Sequence, residues 1–145
     1  MNENECRELA SKVRSFIVSI AARGLTDEWG SDLGCACAVA SYTLARFLTS
    51  RGYIGTLVEG TFGGEHHCWV ETVCDDEVVS VDITATQFGR KYREVEIVDP
   101  QYEDYYVISK GREAEAGLLM WPEEQQPQTY IRLINEFILQ EESRC

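Results

Sequence analysis

The amino-acid sequence predicts an α+β fold, in which a central helix packs on an antiparallel sheet. Apolar residues recur at helical spacing in the first third of the chain, and alternating β-like runs then follow one another without helices between them. Helices followed by consecutive strands are typical of α+β rather than alternating α/β architecture. The 145 residues, 44% of them hydrophobic, suffice for one core, so we expect a single domain over residues 1–145.

Two helices are predicted before the strands. The first runs from about residue 4 to 22, with apolar side chains at positions 9, 13, 16, 17 and 20, and Asn2 and Glu5 are placed as a capping pair at its start. After a loop-like segment from Leu25 to Gly34, the central helix places residues 37, 40, 41, 44 and 48 on one face and ends at Gly52. Cys37 therefore lies in the first turn of the central helix.

Three β-like runs follow, separated by residues that favour turns. The runs span Tyr53 to Glu59, His66 to Cys74 and Val78 to Ile83, with turns at Gly60, Gly63-Gly64 and Asp75-Asp76. A further strand is predicted from Tyr105 to Ser109. A closing helix is indicated by Tyr130, Leu133, Ile134, Phe137 and Ile138. The acidic, glutamine-rich segment from Glu113 to Gln128 is predicted to be a surface loop.

The charge balance narrows the range of partners. Thirteen basic and twenty-five acidic residues give a formal charge of −12, which repels phosphate backbones and anionic membrane surfaces. We therefore expect no nucleic-acid or membrane partner, and any protein or peptide substrate is expected to be basic if charge guides it. Charged residues interrupt the apolar pattern near the N-terminus, so no export signal is indicated and six reduced cysteines in a cytoplasmic protein are expected.

A cysteine nucleophile requires a base and usually a group that orients the base. The histidines of the sequence are His66 and His67 alone, in the run "HHCWVETV". Strand alternation puts His67 with Trp69 on one face and His66 with Cys68 on the other. If the hairpin centres on Asp75-Asp76, paired residue numbers add up to 151, which places Asp82 diagonal to His67 and within reach of it. His67 is thus the predicted base and Asp82 its predicted orienter.

Two cysteines, Cys35 and Cys37, precede the central helix. Cys37 shares the helical stripe that faces the sheet, and the unpaired N–H groups of a first helical turn favour a thiolate. Cys35 falls in the turn at Gly34, off that stripe. We therefore predict Cys37 as the nucleophile.

Three segments, "GCACAVASYTLARFLTSRGY", "HCWVE" and "VDITATQFG", resemble the cysteine, histidine and aspartate motifs of the transglutaminase-like branch of the papain-like superfamily. The resemblance covers about residues 34 to 88. It implies a papain-like fold and a Cys37, His67 and Asp82 triad that acts on an amide through a thioester. The gap between His67 and Asp82 is more similar to that of bacterial toxin glutamine deamidases than to that of large animal transglutaminases, so glutamine deamidation is the first expectation. Peptide cleavage and amine transfer stay open.

The resemblance also directs attention to the oxyanion site. Papain-like proteases typically carry a glutamine before the nucleophile, whereas this chain has no Asn or Gln between Asn4 and Gln87. The Cys37 backbone N–H is the predicted first donor, and Trp29 or Gln87 the second. Trp69 is predicted to form a wall of the site.

Other functions fit parts of the same sequence. A binding module with a catalytically inactive site would use the acidic surface to dock a basic partner. A zinc adaptor would use ligands among Cys35, Cys37, His66, His67 and Cys68, but C-x-C and H-H-C spacings are poor for structural zinc. A C-x-C redox pair lacks the usual C-x-x-C spacing. We therefore expect neither a metal ion nor a cofactor, and the sequence predicts no oligomeric state.

Overall fold

The computed structural model describes residues 1–22, 36–89, 91–99, 106–112 and 127–144. Within these ranges lie the helices α1 (Glu3–Ala22), α2 (Cys37–Ser50) and α3 (Pro127–Glu142). The strands are β1 (Thr56–Phe62), β2 (Glu65–Cys74), β3 (Glu77–Asp82), β4 (Glu96–Val98) and β5 (Tyr106–Arg112), and a short 3₁₀ helix, Ala85–Phe88, follows β3. The described chain has the α+β composition that the sequence predicts. None of its described helices is long and apolar enough to cross a membrane.

The strands form one antiparallel sheet in the order β4-β3-β2-β1-β5. The β2–β3 hairpin turns at Asp75 and Asp76, which both have positive φ, a conformation that aspartate tolerates better than most residues. Val70 pairs with Val81, so paired numbers add up to 151. The predicted register is therefore confirmed, and with it the position of Asp82 relative to β2.

Helix α2 is buried along most of its length and packs against β2 and β1, with α1 and α3 also in contact with it. A helix that is apolar on nearly every side must be covered on nearly every side, which explains its central position. Close approach fixes it further, because a Cβ on Gly55 would lie 2.5 Å from the carbonyl oxygen of Ala45. Only glycine allows the chain entering β1 to lie this near to α2, and the C-terminal half of α2 is thereby held against the sheet.

The cap at the start of α1 is confirmed, since the Glu5 backbone N–H donates to Asn2 Oδ1 at 2.8 Å. The predicted first strand is displaced: β1 extends to Phe62, and Gly60 lies inside it rather than in a turn. A register shift against β5 falls between Glu59 and Gly60, so the glycine accompanies a bulge.

The start of the last helix and the presence of a short strand also differ from the prediction. Helix α3 begins at Pro127, so Gln128 belongs to a helix and not to the predicted loop. Proline suits the first position of a helix because the N–H it lacks would have no intrahelical partner. Strand β4 is not predicted, since three residues are too few to show alternation. The rest of the predicted loop, and the segment from Leu25 to Gly34, lie outside the described residues.

Candidate active site

Asp82, the last residue of β3, lies beside His67 of β2. The His67 Nε2 atom is 2.7 Å from Asp82 Oδ2, and both side chains are buried. The other carboxylate oxygen, Oδ1, accepts hydrogen bonds from the backbone N–H and the hydroxyl of Thr84, at 2.9 and 3.3 Å. The carboxylate makes both contacts, one with each oxygen, and is held in place by the second.

Cys37 is the first residue of α2, and its side chain reaches both His67 and Cys68. The N-cap residue, Ala36, makes no side-chain hydrogen bond to the helix. The Ala36 side chain therefore does not occupy the N–H groups of the first turn, and these groups and the helix dipole favour negative charge close to them. Cys37 is 8% exposed, whereas His67 and Cys68 are completely buried.

Neighbouring groups set the charges of Cys37 and His67. A hydrogen bond from the Cys68 thiol lowers the pKa of Cys37; burial opposes this, and the hydrogen bond and positive charge of His67 add to the lowering, which brings the pKa to about 5. Burial by itself lowers the pKa of His67, but the charge and hydrogen bond of Asp82, with Cys37, raise it to about 9. Between these values the stable state is a thiolate beside an imidazolium.

Cys68 also belongs to the site, although the sequence predicts no part for it in the triad. Alternation along β2 places Cys68 on the opposite face from His67, yet Cys68 and His67 both hydrogen-bond with Cys37. Cys68 is completely buried. Its hydrogen bond to Cys37 and its burial raise the pKa of the Cys68 thiol, so it stays protonated and donates to the Cys37 sulfur.

Gln87 lies in the 3₁₀ helix and approaches the other ring nitrogen of His67. Its Nε2 atom is 3.2 Å from His67 Nδ1 and 3.3 Å from Thr84 Oγ1. Because Asp82 occupies the Nε2 side of the ring, Cys37 and Gln87 both approach the Nδ1 side, where an imidazolium N–H donates to the thiolate and accepts no bond from the Gln87 amide nitrogen. The predicted oxyanion donor Gln87 is thus brought to the thiol side of the imidazole, where its amide now contacts the ring.

Aromatic rings enclose the imidazole. The ring centroid of Trp69 is 6.1 Å from that of His67, and the two rings are nearly parallel. Phe88 and Phe62 meet the imidazole edge-on at 4.9 and 5.9 Å, and stack on each other at 4.5 Å. Their packing excludes water from the His67 and Asp82 contact, which strengthens it electrostatically.

Arg14 of α1 joins the site from outside. Its guanidinium donates to the carbonyl of Ile83 at 2.7 Å and to the hydroxyl of Thr86 at 3.2 Å. Ile83 directly follows Asp82, and Thr86 lies in the 3₁₀ helix that carries Gln87. The sequence feature that could have indicated this contact is the position of Arg14 at the edge of the apolar stripe of α1.

The remaining candidates are placed apart or not described. His66 points away from Asp82 and hydrogen-bonds through Nε2 with Glu59 at 3.0 Å, as strand alternation predicts. Trp29 and Cys35 lie outside the described residues. Within the described ranges, no group of three or more His, Cys, Asp or Glu side chains is arranged to hold a metal ion.

Comparison of the chain with protein-family models, with curated proteins and with solved structures finds no match. Function is therefore argued from the site. A thiolate at a helix start, an imidazolium bonded to it and a carboxylate behind the ring are suited to nucleophilic attack followed by protonation of a leaving group.

Proposed function

We propose that this chain is a cysteine-dependent acyl-transfer enzyme of the papain-like, transglutaminase-like type, acting on an amide of a protein or peptide. The observation that carries the proposal is the continuous series of contacts from Asp82 through His67 to Cys37, with the first two buried and the third at a helix start. A nucleophile, a base and an orienting group in this order are what covalent cysteine catalysis requires.

The first half of the reaction forms a thioester. The Cys37 thiolate attacks the carbonyl carbon of the amide, and the negative charge moves to the carbonyl oxygen. The backbone N–H of Cys37 is one donor for that oxygen, and Gln87 is the second if its amide turns from His67 toward the substrate. The tetrahedral species collapses as His67 gives its Nδ1 proton to the leaving nitrogen, and ammonia or an amine departs.

The second half returns the enzyme to its starting state. His67, now neutral, takes a proton from an attacking water or amine, the acyl group leaves the sulfur, and the thiolate is restored beside the imidazolium. Asp82 stays ionised throughout and holds the ring through Nε2. We favour deamidation of a glutamine side chain, because the fifteen-residue separation of His67 and Asp82 resembles the spacing in bacterial glutamine deamidases. The formal charge of −12 favours a basic target protein.

The first test measures the alkylation rate of each cysteine by iodoacetamide between pH 4 and 8, read by peptide mass mapping. We expect Cys37 to label with a midpoint near pH 5 and His67→Ala to move that midpoint upward. If the pKa of Cys37 in this variant returns to about 8.5, the thiolate fraction at pH 6 falls about 300-fold. The more basic thiolate is a better nucleophile by about 30-fold, so the net loss in alkylation rate is about tenfold.

His66→Ala is the matched control, because it removes the neighbouring histidine of the same strand, which contacts Glu59 instead of the triad. Its Cys37 profile should equal that of the parent. Slow labelling of Cys37 at pH 6, or fast labelling of Cys35 instead, contradicts the proposal and favours a binding module on this fold.

A second measurement separates the acyl-transfer reactions. Incubation with a glutamine-rich basic protein, followed by ammonia detection and intact-mass analysis, should yield ammonia without chain cleavage. New peptide termini would identify a peptidase, and incorporation of an added primary amine would identify a transglutaminase. Cys37→Ala should abolish whichever product forms.

A further inference from the structure

Cys68 is a second cysteine beside the Cys37 sulfur, and in the proposed reaction it forms no covalent bond. It follows His67 in β2, is completely buried, and lies opposite Glu59 of β1. Neither Cys37 nor Cys68 is in a disulfide, and both belong to the same buried cluster. The two side chains are hydrogen-bonded, so their sulfurs are already neighbours, as a disulfide between them requires.

We propose that Cys68 is the resolving thiol of Cys37: a hydroperoxide oxidises Cys37, and the product condenses with Cys68 to a reversible intramolecular disulfide. The inference rests on the proposed function in one respect, since it requires Cys37 to be the activated thiolate. It adds a modification site, with hydroperoxides as the oxidant class, which the acyl-transfer reaction does not need.

The two steps balance as follows. The Cys37 thiolate attacks the peroxide, breaks the O–O bond and becomes a sulfenic acid, while the oxidant is reduced to an alkoxide or hydroxide that takes a proton from water. The Cys68 sulfur then attacks the sulfenic sulfur, and the departing hydroxyl combines with the Cys68 proton to form water. Two electrons pass from the thiol pair to the peroxide.

Exposure assigns the order of the steps. Cys37 is 8% exposed and Cys68 is fully buried, so a peroxide reaches Cys37 first. While Cys37 is anionic, it accepts the Cys68 proton in a hydrogen bond and resists loss of that proton by charge repulsion. Oxidation removes that negative charge and so removes the constraint. Cys68 becomes reactive only after Cys37 has been oxidised.

The outcome protects the nucleophile. A sulfenic acid that meets no thiol can proceed to sulfinic acid, which thiol reductants do not reverse. A disulfide stops the oxidation one step earlier, withholds the nucleophile from substrate, and returns it on reduction. The active site would thus be switched off by peroxide and restored by a dithiol.

The chain contains its own comparison pair. Cys6 of α1 and Cys74 of β2 are also buried and hydrogen-bonded to each other, but burial raises the pKa of both thiols, that of Cys6 to about 12. Without a thiolate, proximity and burial alone do not start the reaction. Cys6 and Cys74 should therefore stay reduced at a peroxide dose that oxidises Cys37.

The experiment treats the reduced protein at pH 7 with a small excess of hydrogen peroxide, blocks remaining thiols with iodoacetamide, and maps disulfides by tandem mass spectrometry. We expect a Cys37–Cys68 disulfide, a loss of Cys37 alkylation of at least tenfold, and recovery with dithiothreitol. In Cys68→Ser, which preserves size and a hydrogen-bond donor, Cys37 should instead accumulate as sulfinic acid and not recover.

Sulfinic acid at Cys37 in the parent, or a disulfide from Cys37 to Cys35, overturns the inference, and so does equally fast oxidation of Cys6 and Cys74. The parent protein decides this even if Cys68→Ser fails to fold. Fast alkylation of reduced Cys37 at pH 6 without a Cys37–Cys68 disulfide rejects the resolving role alone. Slow alkylation of Cys37 at pH 6 rejects the proposed function as well.

Discussion

Cys37 with Cys68, and Cys6 with Cys74, are two pairs of buried cysteines that each connect a helix to β2 by a thiol hydrogen bond. The pairs are alike in burial and composition but differ in charge, because only Cys37 is a thiolate. The pKa of Cys37 is lowered to about 5, whereas burial, with help from Cys74, raises the pKa of Cys6 to about 12. The same residue type in the same kind of packing therefore becomes either a thiolate or a neutral core side chain.

The difference teaches which feature makes a cysteine reactive in this fold. Burial raises the pKa at both pairs, so burial does not distinguish them. Arg7 lowers the pKa of Cys6, but Glu3 raises it and burial prevails. At Cys37 the donated hydrogen bond from Cys68 and the imidazolium of His67 together exceed the cost of burial. A positive charge in direct contact, supplied by His67 and maintained by Asp82, is what the Cys6 pair lacks among its described neighbours.

Asp82→Asn should have the largest effect, because it removes the charge that holds His67 protonated. We expect the pKa of His67 to fall from about 9 and acyl transfer at pH 8 to decrease about 10³-fold. The measurement is the rate of ammonia release against pH, together with alkylation of Cys6 and Cys74, which should not change. Activity within tenfold of the parent at pH 8 would show that His67 does not need the carboxylate.

Gln87→Ala tests whether the site of Cys37 differs from that of Cys6 only in the charge of the thiol, or also in having an oxyanion donor. If the Gln87 amide stabilises the oxyanion, acyl transfer should fall about 10²-fold while the alkylation profile of Cys37 keeps its midpoint, because iodoacetamide forms no oxyanion. Gln87→Glu is the matched size control. A shifted alkylation midpoint with little loss of turnover would mean that Gln87 only orients His67.

The pH dependence of the parent should have two limits. The pKa of Cys37 is below its usual value, so the thiolate is lost as pH falls through about 5; that of His67 is above its usual value, so the imidazolium is lost as pH rises through about 9. Acyl transfer should decline about tenfold per pH unit beyond each limit. Alkylation should decline only on the acid side, since it needs no proton donor. Parallel profiles for the two reactions would contradict the role of His67 as an acid.

Cys6→Ala should have the smallest effect and acts on the inert pair. It removes a fully buried sulfur and its hydrogen bond to Cys74, so we expect a loss of about 1 kcal/mol in the free energy of unfolding, measured in urea. Turnover and the alkylation midpoint of Cys37 should match the parent. A change in either would show that the two pairs are coupled through β2.

Much of the site followed from local rules. The turn at Asp75 and Asp76 and the period of two along each strand are enough to bring Asp82 to His67 and to send His66 elsewhere. A helix start can be located from an apolar stripe, so Cys37 could be placed in its first turn. These predictions succeeded because each depends on a few neighbouring residues or on one hairpin.

Other features depend on several elements at once. Strand β4 is too short to have a pattern, and the end of β1 depends on pairing with β5 across a bulge at Gly60. The contact of Gln87 with His67 requires the 3₁₀ helix after β3 to fold back toward β2. The anchor of that segment by Arg14 requires α1 to lie beside it.

By itself, the sequence determined the α+β order of elements, the register of the β2–β3 hairpin and the residue types of the triad, because turn conformation and side-chain periodicity are local properties. The tertiary structure alone decided that Cys68 donates to Cys37 and that Cys6 is paired with Cys74. Hydrogen bonds between a helix and a strand distant in the chain depend on how the two elements pack, and the pKa of a thiol depends on the charges that this packing brings to it.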